Sequence, residues 1–210
     1  MSALAERLTT SRRQRRLAAP LAWWAAGAIG GMVGGLASHP LAGAAISAAL
    51  VGLLQALALR PDLRYGVAWL GSTTLAGALG FGAAVVGAGA FAQVIEGDPA
   101  LRSEGLAAWI GLGALGGLLL AAAQAPLTGR AGLAWSWCLL GLLAGGALWP
   151  AGLAIGQRFG PELALWLIEI NPDLHLTPDA ARQAVGYAAA WLLHSVPFGM
   201  LVAANSTRER

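Results

Sequence analysis

Lysine is absent from this chain, and all thirteen of its basic residues are arginine. It has one cysteine, Cys138, so no disulfide can form within it. Charged residues are 11% of the sequence and hydrophobic residues 57%, too apolar for a soluble domain of 210 residues. The net charge of +3 comes from arginines gathered at the ends of apolar runs. That distribution is not a nucleic-acid footprint, and no nucleic-acid partner is expected. Catalytic motifs are missing as well. HExxH, GxSxG, a P-loop and CxxC do not occur, which removes the standard hydrolase, nucleotide and redox readings. No calcium-loop or zinc-ligand spacing occurs, so no metal site is expected.

What is present is a series of uncharged runs: Leu17–Leu59, Tyr65–Ile95, Gly105–Gly129, Ala131–Gln157 and Gln183–Thr207. A hydrocarbon core needs about 20 apolar residues per helix. The first run is too long for one span, and Ser38-His39-Pro40 divides it because Pro40 has no amide donor. The fold expected is all-α, a polytopic bundle of six transmembrane helices in a single domain over 17–207. A basic segment (1–16) precedes it and a short tail (208–210) follows. Outer loops are expected near Gln93–Ser103 and Arg158–Thr177. Within the latter, residues 163–170 are apolar and too short to span, which suggests an interfacial or re-entrant helix.

Arginines set the sidedness. With the N-terminus inside, Arg7, Arg12, Arg13, Arg15, Arg16, Arg60, Arg64, Arg130, Arg208 and Arg210 are cytoplasmic. Only Arg102, Arg158 and Arg182 lie outside, and ten against three places both termini in the cytoplasm. Location in a bacterial inner membrane is expected. The paired arginines before the first apolar run have a twin-arginine flavour, but that run exceeds the 7–15 residues of a signal core, so an uncleaved first helix is expected. Met1–Thr10 has Leu4 and Leu8 one turn apart, as in a short surface helix drawn to anionic lipid.

Local signatures mark several boundaries. Asp98-Pro99 and Thr177-Pro178 each place a capping side chain before a proline suited to the first helical position. Trp23, Trp24, Trp69, Trp135 and Trp137 fall near the inner interface, Trp109 and Trp149 near the outer one. They are expected to form an aromatic belt rather than a binding box. Glycine is abundant, at 30 residues, and small residues let helix backbones approach in lipid. Gly27, Gly31 and Gly35 form a ridge with Gly30 and Gly34 beside it; Gly113/Gly117, Gly141/Gly145 and Gly152/Gly156 repeat the spacing. Internal packing is expected for most of them. The first helix has glycine on more than one face, so a partner-docking role is also open there.

A hairpin recurs in the sequence. Leu53-Leu54-Gln55-Ala56 matches Ala122-Ala123-Gln124-Ala125, each followed by an arginine-bearing inner loop and a tryptophan, Trp69 or Trp137. Leu75-Ala76-Gly77 then matches Leu143-Ala144-Gly145. Helices two and three therefore read as a hairpin duplicated in helices four and five, a parallel repeat. On these residues the middle third of the chain resembles a group of small, uncharacterised bacterial multi-pass membrane proteins that repeat a glycine–leucine–glutamine–arginine hairpin. The second copy departs from it, with Ala121 for the glycine and Pro126 after the glutamine. The resemblance implies a fold and carries no activity.

Three polar residues fall at membrane depth. Gln55 and Gln124 take equivalent places about one and a half turns from the inner helix ends. They are candidates to bond one another or to line a vestibule. His194 lies near the middle of the sixth helix, where an ionisable residue is a functional candidate by default. Pro197, three residues on, frees the carbonyl of Leu193, which with Ser195 could make a small polar site beside the imidazole. Three readings stay open: a neutral imidazole donating to a neighbouring helix, proton or solute handling, and axial ligation of a tetrapyrrole. A two-histidine haem is disfavoured, because His39 sits at the outer helix end and His175 in a loop. Glu96, Asp98, Glu104, Glu162, Glu169, Asp173 and Asp179 form an acidic outer rim, read as a solvated face. Ser72-Thr73-Thr74 is expected to bond back to helix carbonyls.

The functional expectation is a non-catalytic integral membrane protein, an accessory or scaffolding subunit that forms a homo-oligomer or joins another membrane subunit. No catalytic residue and no cofactor is expected. The alternative is a small solute or ion transporter or channel with a path past Gln55, Gln124 and His194. An enzyme ranks third, since the acidic rim and His194 lie at different depths.

Overall fold

The computed structural model of the chain describes residues 20–37, 39–59, 63–96, 102–128, 131–171, 173 and 176–206. Every regular element among them is helical: α1 (20–35), α2 (Pro40–Leu59), α3 (Leu63–Glu96), α4 (Arg102–Gln124), α5 (Ala131–Ile170) and α6 (Pro178–Ser206), with a 3-10 turn over Ala125–Thr128. The helices α2 to α6 are each long and apolar enough to cross a membrane. The chain is a polytopic helical bundle and an integral membrane protein.

Helix boundaries follow local chemistry. Pro40 opens α2, where a missing amide costs nothing, and the His39 carbonyl accepts from the Gly43 amide at 2.8 Å. Thr177 caps α6 as expected, its Oγ1 accepting from the Ala180 amide at 3.1 Å. The Asp98-Pro99 cap, the basic segment 1–16 and the tail 208–210 lie outside the described residues.

The six helices close into a ring in chain order, each antiparallel to its neighbours, and glycine makes each seam. A Cβ on Gly31 would sit 2.7 Å from the Tyr187 carbonyl carbon, and one on Gly27 2.7 Å from the Trp191 carbonyl oxygen, so α1 lies directly on the α6 backbone. The adjoining ridge of α1 faces α2, with Gly30 at 2.8 Å from the Val51 amide by the same construction. Both glycine faces of α1 are thus occupied by the chain's own helices. Gly113 and Gly117 meet Gly145 and Gly141 between α4 and α5, and Gly80 meets Gly116 between α3 and α4. In lipid, where apolar burial gives no drive, this backbone contact is what holds neighbours together.

Helix α5 departs from expectation. The segment from Arg158, expected to belong to an outer loop, continues α5 to Ile170 through Pro161, so 163–170 is no separate re-entrant element. Proline removes one ladder bond, but the α5–α6 seam offsets that loss. Gly152, Gly156 and Gly160 follow one face of α5 against Ala190, Gly186 and Arg182, and Ala164 is buried one turn further on. Close packing on both sides of Pro161 keeps the helix intact.

The centre of the ring is filled by aromatic rings. The expected belt is therefore corrected. Trp23, Trp69, Trp109, Trp137 and Trp149 are buried, as is Trp191, whereas Trp135, 81% exposed, and Trp166 face outward. Glycine seams draw the backbones so close that the large side chains near the interfaces turn inward to fill the axis.

Candidate functional site

Gln55 and Gln124 do not bond each other. Each accepts from the tryptophan of the following helix: Trp69 Nε1 donates to Gln55 Oε1 at 3.3 Å, and Trp137 Nε1 to Gln124 Oε1 at 3.2 Å. An indole has only a donor, and these two are given an acceptor, whereas Nε1 of Trp24, Trp109, Trp149 and Trp191 is buried with none among the described residues. Gln124 goes further, its Nε2 donating to Thr73 Oγ1 at 2.8 Å and joining α4 to α3. Of the three hydroxyls in that stretch, Ser72 does bond back to its own helix, donating to the Trp69 carbonyl at 3.0 Å.

The two indoles meet a third. Trp23, Trp69 and Trp137 stand edge to face in a triangle with centroid separations of 5.2, 6.0 and 6.4 Å. These come from α1, α3 and α5, and the residue four positions after each one makes the next contact. Thr73 lies on Gly52, Gly141 on Ala121, and Gly27 on Ser195. Three residues beyond Gly52, Ala121 and Ser195 stand Gln55, Gln124 and Phe198. The pair α6–α1 thus follows the same contact pattern as the other two hairpins, with Phe198 where they carry glutamine.

His194 joins this cluster one turn before Phe198. Its ring lies against Trp149 at 4.7 Å and Phe198 at 5.0 Å, with Trp191 edge-on at 6.2 Å. At Nδ1 there is no donation to a neighbouring helix: the atom is buried with no hydrogen-bond partner among the described residues, and so is Ser195 Oγ. Leaving one such atom unpaired costs about 1–3 kcal/mol. His39 is exposed at the start of α2, away from His194, and His175 lies outside the described residues.

A void separates these groups. It measures about 10 Å³ and is lined by Gln55, Gln124, His194 and Ser195 together with Trp23, Leu120, Trp191 and Phe198. A tetrapyrrole has no space there. The structure thus brings together Gln55, Gln124 and His194, sets Ser195 beside them as the sequence suggested, and adds the indole triangle, with Thr73 as a partner of Gln124. The glutamine–arginine–tryptophan order was the sequence signal for the indoles; nothing in the sequence marked Thr73 as the partner of Gln124, 51 residues away.

The acidic residues belong to a different region. Glu162 pairs with Arg158 at 2.6 Å and Asp179 with Arg182 at 2.9 Å, both at exposed positions. Among the described residues no three histidine, cysteine or carboxylate side chains gather as a metal site would require. Comparison with protein-family models, with curated proteins and with solved structures finds no match.

Proposed function

We propose that the protein is a non-catalytic accessory subunit of a membrane assembly, docking through the outer end of α5. One observation carries this. A helix of 40 residues is about 60 Å long at ~1.5 Å per residue, roughly twice the hydrocarbon thickness of about 30 Å. From the charged pair Arg158–Glu162 onward the helix keeps an exposed apolar stripe: Phe159, Leu163, Trp166 and Ile170. Their spacing of four, three and four places them on one face. Such a stripe beyond the bilayer core is characteristic of an interaction surface. The glycines considered for docking, Gly27, Gly31 and Gly35 with Gly113, Gly117, Gly141 and Gly145, serve seams within the chain, so the partner face lies elsewhere.

Isolated in a mild detergent, the protein should migrate as a complex larger than one chain with its micelle. Trp166→Glu with Ile170→Glu should release a folded monomer. A wild-type protein that is monomeric under those conditions would defeat the proposal.

The orientation belongs to the same proposal: a bacterial inner membrane, both termini cytoplasmic and the α5 extension outside. A phosphatase reporter that works only in the periplasm, fused after Arg210, should be inactive, while one inserted at Asp173 should be active. The reverse pattern would invert the topology.

The alternative, a small solute or ion transporter, draws support from the convergence of Gln55, Gln124 and His194 on one void. Solute uptake into vesicles that is lost in Gln55→Leu would favour it.

A further inference from the structure

We infer that the void beside Trp23, between the two glutamines and His194, is a binding site for a single water molecule, held by His194 Nδ1 and Ser195 Oγ. The size fits. A volume of about 10 Å³ open to the centre of a water-sized sphere is at the threshold for one water, and too small for a larger ligand.

The chemistry fits as well. A buried water needs two to four polar partners. Three lining groups, Trp191, His194 and Ser195, are more than nine-tenths buried and carry a polar atom unpaired among the described residues. A neutral imidazole with Nδ1 unprotonated accepts a hydrogen bond from the water, and the Ser195 hydroxyl can give or accept the second bond. The Gln55 and Gln124 oxygens each accept from an indole, Trp69 and Trp137, and help to wall the site.

The ring explains why the site is here and not at the other two seams. In the α2–α3 and α4–α5 hairpins a glutamine fills the axial position and takes up the indole donor. In the α6–α1 pair Phe198 stands there and has no polar atom. His194 reaches the axis from one turn earlier, where its counterparts one residue before Gly52 and Ala121 are the apolar Val51 and Leu120. A phenylalanine in place of a third glutamine removes the polar group from the axis on this side, and an imidazole in place of an aliphatic side chain supplies another beside the void.

The test is proton-detected solid-state NMR on protein labelled with ¹⁵N-histidine in phosphatidylcholine vesicles. A cross-peak between water and one imidazole is expected, assigned to His194 by its loss in His194→Gln. Ser195→Ala should weaken it at least twofold, and Leu120→Phe, which fills the void, should remove it while the remaining spectrum stays that of the folded protein. Should Leu120→Phe fail to fold, the wild-type and Ser195→Ala spectra decide. Absence of the wild-type cross-peak, or its persistence unchanged in both variants, would overturn the assignment. Water contacts running on from His194 to Phe81 and Tyr187 would also overturn it, since they describe a water column rather than a site for one molecule.

Discussion

Replacing Gly117 by leucine should abolish the folded ring. A Cβ at that position would meet the Gly141 carbonyl oxygen and lie 2.7 Å from the Gly145 Cα, both backbone atoms of α5 that no rotamer change can move aside. Overpacking a core against side chains costs about 1–3 kcal/mol; against backbone the helices must separate, and even Gly117→Ala should reach the upper end of that range. Gly111→Ala on the same helix is the control. Nothing lies within 4 Å of its added methyl, so the variant should melt at or slightly above the wild-type temperature. Thermal unfolding of the three variants in detergent, followed by circular dichroism, gives the comparison. Equal melting temperatures for Gly117→Ala and Gly111→Ala would contradict the seam as described.

The second large effect should come from Gln124. Its side chain accepts from Trp137 and donates to Thr73, so Gln124→Leu leaves an indole donor and a hydroxyl without the partner that α4 supplied. Interhelical hydrogen bonds in membranes average only about 0.6 kcal/mol in double-mutant cycles, because freed groups find other partners. Here the freed indole is enclosed by the ring, with Trp137 2% exposed, and an unpaired buried donor costs about 1–3 kcal/mol. The enclosed case should win, giving a loss of about 2–4 kcal/mol for the two orphaned groups. Gln55→Leu, which frees one indole, should cost less. Adding Trp137→Phe to Gln124→Leu should restore part of the loss, since the unpaired donor goes with it. A double variant no more stable than Gln124→Leu would mean that the indole finds another acceptor and that the Gln124–Trp137 bond carries little.

Much of this was legible in the sequence, and the part that was not has a common cause. Charge placement alone located the membrane-embedded runs, because an arginine at membrane depth is costly whatever surrounds it. Pro40 and Thr177 marked helix starts for equally local reasons. The indoles were misplaced because proximity to an interface says how deep a residue sits and nothing about which way it points. Trp135 and Trp137 are two residues apart at one depth, and the first faces outward while the second is buried. The end of α5 was misjudged at Pro161 for a related reason: the proline penalty is visible in the sequence, whereas the α6 backbone packed along Gly156 and Gly160 is not. Gln55, Gln124 and His194 stood out singly as polar groups at membrane depth. Their meeting at one void depends on ring closure, a property of the whole chain.

That closure has a consequence for biogenesis. The seam between α1 and α6 joins the first and last of these helices in chain order, and beside it Tyr187 of α6 donates to the carbonyl of Pro40 at the start of α2, 147 residues away, at 2.7 Å. During synthesis the earlier five helices leave the translocon before the sixth, so α1 must reside in the bilayer with its Gly27–Gly31–Gly35 ridge uncovered. Contacts so distant in sequence form late and slowly. In that interval the half-built protein presents the kind of close-packing stripe that draws other transmembrane helices. A membrane chaperone or quality-control protease would find its opening on α1, and arrival of α6 would end that exposure.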